Sequence, residues 1–174
     1  MAVPSDIMLG YGVFYYGAAL TTASLTAIGA VRGGGVFHRE PTYRKLALDG
    51  DYGYVKGRVE IDEEIDTLTM RAVEFLPASI NSFYPAMTSS AGGSVTTLTG
   101  NMDIADGDYK KVQFIGKTKG GNAITITVDN ALNLGPLNWE FLDKNEVVDE
   151  LVFTATSLEA STTTPSWKVE FATT

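Results

Sequence analysis

The chain has no cysteine, a single histidine (His38) and fewer cations than carboxylates, 13 Lys and Arg against 21 Asp and Glu. Without cysteine there are no disulfides, no thiolate nucleophile and no Cys-based zinc or iron–sulfur site, a composition that fits folding in a reducing cytoplasm. One histidine leaves no His cluster, so transition-metal chemistry would rest on carboxylates alone. A formal charge of −8 and no basic stripe exclude tight binding to a phosphate backbone by counterion release. Charge of either sign is missing from Ile7 to Val31. That run is long enough to cross a bilayer, but Gly10, Gly12, Gly17 and Gly29, three tyrosines and the Thr21–Thr26 segment dilute it, and anchoring cations are missing from its flanks. The start MAVPSD puts an acid where a signal peptide carries its basic region. The run reads as strand and loop, with no membrane association expected.

What is present favours strands. Threonine and glycine are abundant and 174 residues suit one domain, 1–174, with a real core. Ile124, Ile126 and Val128 alternate with Thr125, Thr127 and Asp129, and the run should pair with 110–117 across the glycine turn at Gly120-Gly121. Two closing strands are expected over 147–156 and 166–172, the second with Trp167, Val169 and Phe171 on one face, joined by an exposed loop at 157–165. Upstream, 55–62 and 67–75 read as a hairpin turning at Glu63-Glu64. Residues 77–84 suit one short helix burying Ile80, Phe83 and Tyr84, stopped by Pro85. Thr88 to Ser94 reads as a flexible loop. The connection from Arg32 to Tyr54 is longer than an ordinary loop, and such loops are usually functional.

Tests for catalytic and metal motifs mostly fail on spacing. Asp49 to Arg58, DGDYGYVKGR, has the glycines of a phosphate loop but not its Gly-Lys-Ser/Thr ending, and its acids do not alternate as calcium ligands do. Asn101 to Asp108 offers four oxygens around a turn, without the closing bidentate Glu of an EF-hand. Ser94 lies outside a GxSxG elbow, and His38 reads as a surface or interface residue. Glu60, Asp62, Glu63, Glu64 and Asp66 could form an acid–base group and read instead as a solvated hairpin tip. No cofactor, metal or catalytic residue is expected.

Taken in order, Asp49 to Arg58, Ile124 to Leu132, Leu151 to Thr156 and Pro165 to Phe171 resemble the major tail tube proteins of long, non-contractile-tailed bacteriophages. The likeness spans about Gly29 to the end. It departs at 157–164, where such proteins often carry Asp-Pro, and in having nothing after the last strand where some carry a further surface domain. The resemblance implies an antiparallel β-sandwich or barrel of two packed sheets with one short helix. Six copies would close into rings, and rings would stack into a hollow tube that delivers DNA without specific binding. Tape measure, tail terminator and distal tail proteins would be partners, and the place would be the virion, after assembly in the host cytoplasm. Glu60, Asp62, Thr125, Thr127 and Asp129 are candidates to face the lumen, where like charge would repel phosphates. Contacts between subunits would use the N-terminal segment (about 1–12), residues 88–100 and an arm at about 32–54. In and beside that arm the candidates are Phe37, His38, Arg39, Tyr43, Arg44, Asp49, Asp51, Tyr52, Lys56 and Arg58. Alternatives are the inner tube of a contractile tail or secretion system, a secreted carbohydrate-binding or adhesin-like sandwich, and a carboxylate-dependent hydrolase.

Overall fold

A computed structural model of the chain describes residues 8–18, 25–74, 77–161 and 164–172. Among these, β1 (Met8–Ala18), β2 (Thr26–Ala27), β3 (Val31–Lys45) and β4 (Val59–Ala72) precede the helix α1 (Pro77–Phe83). After it come β5 (Met87–Gly92), β6 (Val95–Gly100), β7 (Lys110–Thr118), β8 (Ala123–Asn133), β9 (Asp149–Ala155) and β10 (Trp167–Phe171). One antiparallel sheet runs β2-β1-β7-β8-β9-β4-β3, with β10 added to β8, and β5 and β6 form a separate hairpin. The larger sheet folds over itself, so that the β1–β7–β8 part faces the β9–β4–β3 part across one core. Phe14, Leu68, Met70, Val112, Val128, Leu151 and Phe153 fill that core, and α1 closes it with Ile80 and Phe83. The result is a mainly β, sandwich-like layer pair that is not closed by hydrogen bonds.

The β7–β8 hairpin has the expected partners, Phe114 opposite Ile126 and Gln113 opposite Thr127, and Gly121 takes φ +91° at its turn. The closing strands also form where alternation places them. They do not pair with each other: β9 joins β4 and the end of β8, while β10 joins the start of β8. Helix α1 buries Ile80 and Phe83, with Tyr84 beside them, as its spacing implies.

Three expectations are corrected. The hairpin over 55–62 and 67–75 is one strand, Val59–Ala72, with no turn at Glu63-Glu64; Phe75 lies outside the described residues. An irregularity opposite Thr42 and Tyr43 absorbs one extra residue there, so the chain bends without reversing. The first part of the long arm is likewise a strand, Val31–Lys45, paired with β4 at Val31 and from Gly35 to Lys45. Pro41 is tolerated because β3 is an edge strand and need not donate on both sides. The loop at 88–94 is the β5–β6 hairpin, turning at Gly93 with φ +63°. Its tip, 88–94, is exposed and mostly polar, with cross-strand backbone pairing satisfying the main chain, while Met87 and Leu98 at the base pack against the core.

Tyr84 ties the helix end to β9. Its hydroxyl donates to Asp149 Oδ2, and Asp149 is fully buried with Oδ1 unpartnered. Burial first, then the Asp149 carboxylate, push the Tyr84 pKa up, so the hydroxyl stays a donor across the accessible pH range. Tyr84→Phe leaves a buried carboxylate without that donor and is expected to cost about 2–3 kcal/mol. Urea denaturation measures this; a loss below about 0.5 kcal/mol, the scale of an ordinary surface substitution, would contradict the role.

Candidate functional site

The feature that leaves the body of the fold is the outer half of the β3–β4 hairpin. Strand β9 pairs with β4 only from Thr67 to Ala72, so among the described residues Val59 to Asp66 has β3 as its one sheet partner. Directly paired residues share a face. Arg39 opposite Asp66, Pro41 opposite Glu64, Tyr43 opposite Ile61 and Lys45 opposite Val59 therefore continue the face that starts in the core at Phe37 and Leu68. On the ribbon this face is open: Tyr43 is 55% exposed and Ile61 52%.

The ribbon ends in the loop containing DGDYGYVKGR, which is a built turn. Asp51 accepts from the Leu48 amide at 2.9 Å and from Arg58 Nη1 at 2.9 and 3.0 Å. Gly50, Gly53 and Gly57 take positive φ, which explains their number in ten residues. Tyr52 and Tyr54 stand in solvent around them.

At the ribbon's base, Trp167 and a carboxylate pair form a polar cluster. Arg39 grips Glu64 with Nε to Oε1 at 2.9 Å and Nη2 to Oε2 at 2.6 Å, and Trp167 Nε1 donates to Glu64 Oε1 at 3.0 Å. The Arg39 guanidinium lies 5.6 Å from the Trp167 ring centroid, and the Phe37 ring 5.3 Å from it on centroids. The bidentate bond to Arg39 holds the Glu64 carboxyl below its ordinary range. Asp66 behaves oppositely: burial, then the neighbouring Glu64, push its pKa up to about 6. A cavity of about 500 Å³ opens beside this pair, walled by Ile61 to Glu64 and Asp66 on one side and by Thr156 and Pro165 on the other.

The two carboxylates have opposite pH signatures. Between the ordinary Asp value of 3.8 and about 6, folded Asp66 holds a proton that the unfolded chain has released, so its contribution to stability falls as pH rises through that window. Glu64 contributes stability that is lost as pH falls through its depressed pKa. Asp66→Asn removes the first effect. The variant is expected to be about 2 kcal/mol more stable than the parent at pH 7.5, with the gap closing by pH 4. Urea midpoints at the two pH values test this, and a gap independent of pH would contradict it.

The arm candidates all sit on this one hairpin. Phe37 rests on Trp167, Arg39 holds Glu64, and His38 is a surface residue with Nε2 3.5 Å from Glu40 Oε2. Arg44 bridges Glu60 at 3.1 Å and Asp62 at 3.4 Å. Asp49, Tyr52 and Lys56 are exposed on the terminal loop. Arg58, also a candidate for contacts between subunits, is engaged by Asp51 of its own chain.

The lumen candidates are not brought together. Thr125, Thr127 and Asp129 lie on β8, while Glu60 and Asp62 lie out on the ribbon. Thr127 is fully buried, accepting from Gln113 Nε2, and so presents nothing to solvent from this chain. Asp129 is neutralised by Lys111 at 3.0 Å. The carboxylates 60–66 are not a hairpin tip but mid-strand residues, three of which (Glu60, Asp62 and Glu64) have cations on β3. Among the described residues no group of three or more His, Asp or Glu is placed to hold a metal. The Asn101–Asp108 oxygens serve the backbone instead, Asn101 Oδ1 accepting from Met102 and Asp108 Oδ2 from Ala105. Sequence reasoning missed the Arg39–Glu64–Asp66–Trp167 cluster. Its only signal was Glu-x-Asp, two acids on one face of a strand. Neither a protein-family model nor a characterised protein matches the chain.

Proposed function

We propose that the chain is a structural tail tube subunit, assembling into stacked rings around a bore through which phage DNA passes. The observation that carries this reading is the β3–β4 ribbon, a long two-stranded extension whose β3 edge no other described strand pairs with and whose apolar face at Tyr43, Ile61 and Val59 is open. Exposed long edges and apolar ribbons are what folded chains avoid unless another chain covers them. A neighbour in a ring does so, by edge pairing or by apolar docking, and a head-to-tail contact closes into a ring when its rotation permits. Ring size of six, the tape measure, terminator and distal tail partners and the virion location rest on the resemblance. The chain acts here by assembly, without a catalytic residue. The bore's resistance to DNA adhesion comes from the net charge of −8 rather than from the five lumen candidates as a set.

Sedimentation velocity over a wide concentration range tests this reading. Large, discrete assemblies are expected at high concentration, and a chain that stays monomeric at every concentration and salt level would overturn it.

A further inference from the structure

We infer that the apolar loop over 134–142 is the seat for the ribbon tip of a second copy of the chain. The inference rests on the self-assembly reading above and names the two surfaces that meet.

Exposed large apolar residues concentrate at two places. One is the ribbon's outer end, with Leu46, Leu48, Tyr52 and Tyr54 in the terminal loop and Val59 at its root. The other is the connection between β8 and β9, where Leu134, Leu137, Phe141 and Leu142 are 43–77% exposed. Off the ribbon, the remaining exposed large apolar residues among the described ones come singly or in pairs, such as Met102 with Ile104. Single exposed side chains are ordinary, whereas a cluster marks a contact surface.

The 134–142 loop is a held structure. Trp139 in its middle packs against the core, the Leu134 amide donates to the Val152 carbonyl at 3.1 Å, and the Gly135 amide to Asn133 Oδ1 at 3.0 Å. Beyond it, Arg32 ties the rest of the connection down through Glu146 at 2.8 Å. With its anchor buried and its ends fixed, the loop presents Leu and Phe side chains outward at little further ordering cost, the condition that favours docking.

The two surfaces cannot meet within one chain. Val59 begins β4 and Ala72 ends it, and Ala72 pairs with Asp149, where the connection rejoins the sheet. The 14 residues of β4 keep tip and seat roughly 40 Å apart. Charge selects tip against seat over tip against tip. Outside ion pairs among the described residues, the tip carries Lys45 and Lys56 with one acid, Asp49, while the loop carries Glu140 and Asp143 with one cation, Lys144. Unlike surfaces therefore attract and like surfaces repel. Tyr52, Tyr54 and Phe141 are 75–104% exposed, and an aromatic buries about 150–250 Å². With the six exposed Leu and Val beside them, the contact approaches the roughly 1,200 Å² at which specific interfaces begin. Each copy offers a tip at one end and a seat at the other, so the contact is heterologous and repeats as an open series displaced along the ribbon. That is how one ring would stack on the next.

The absence of cysteine makes the test clean. Asp49→Cys in the tip and Asn138→Cys in the seat leave every apolar contact side chain in place. They are made as separate full-length variants, mixed at assembling concentration and treated with a short bis-maleimide. A crosslinked dimer is expected only in the mixture, while the double variant should give a ladder on a denaturing gel. Asp49→Cys mixed with Met102→Cys, at the rival exposed apolar segment, should give none, and a crosslink there as strong as to Asn138→Cys would overturn the choice of seat. Phe141→Asp, at an exposed position, should leave the circular dichroism unchanged and weaken association about tenfold or more. Assemblies that form without the Asp49→Cys to Asn138→Cys crosslink, or undiminished in Phe141→Asp, would overturn this contact and leave the tube reading standing. A crosslinked ladder whose products have no bore would support the contact and overturn the tube. A chain that neither crosslinks nor assembles would overturn both.

Discussion

Placing Asp at both Tyr43 and Ile61 is expected to abolish assembly while leaving the monomer folded. The two residues face each other across β3 and β4, and each is about half exposed, so in the isolated chain they contribute only a cross-strand pair worth about 0.2–1 kcal/mol. Covered by a neighbour, the exposed half of each apolar side chain would add about 0.8–1.5 kcal/mol, half the value for full burial. A pair of carboxylates in their place must be desolvated against each other and against the acids further along the ribbon. The expected weakening per contact is a hundredfold or more, roughly 3 kcal/mol or above, and a ring repeats the defect at every junction. Sedimentation should show monomer at concentrations where the parent assembles, with a urea midpoint shifted only slightly. Undiminished assembly would remove the ribbon face from the interface.

Phe14→Ala is expected to be the most damaging single change to the fold, at about 3–5 kcal/mol. Phe14 is 1% exposed, and its ring centroid lies 4.8 Å from that of Phe114. It also fills the seam where the folded sheet brings β3 back to β1 without hydrogen-bonded closure. The space above Gly35 of β3 is occupied by this ring: a Cβ there would come 2.3 Å from Phe14 Cζ and 2.6 Å from the Thr69 carbonyl oxygen. Gly12 of β1 is similarly covered by the Phe114 ring. The two aromatics therefore seat over glycines, and truncating Phe14 opens a cavity that rigid backbone on both sides cannot collapse into. Equilibrium urea unfolding at constant m-value measures the loss. A cost below about 1.5 kcal/mol would mean that the seam can close over the gap.

Strand periodicity was legible wherever one face is buried. Ile124, Ile126 and Val128 alternate with polar residues because one side of β8 lies over the core, although Thr127 is buried on its other side too, and Ile80, Phe83 and Tyr84 all turn to the core. The ribbon was not legible as a ribbon. Gly33 to Gly35 and Pro41 interrupt β3, and its apolar residues Val36, Phe37 and Tyr43 do not keep one spacing, because among the described residues it is an edge strand whose outer half lies beyond the core. In β4 the run Asp62-Glu63-Glu64 mimics a turn, and only the long-range partners on β3, with Arg44 on Asp62 and Arg39 on Glu64, keep it extended. Pairing 25 residues apart, as in Arg39–Glu64, is invisible to local propensity. The elevated Asp66 pKa has the same origin, since it depends on burial that the fold supplies. The glycines of DGDYGYVKGR serve the backbone, Gly50, Gly53 and Gly57 each taking positive φ, and Arg58, a candidate for contacts between subunits, is held by Asp51 of its own chain.

Negative-stain microscopy of the concentrated, purified chain bears most directly on the proposed role. Hollow tubes of uniform diameter with a regular ring repeat and six-fold end views are expected. Monomers, or filaments without a bore, under conditions that preserve the fold would contradict it.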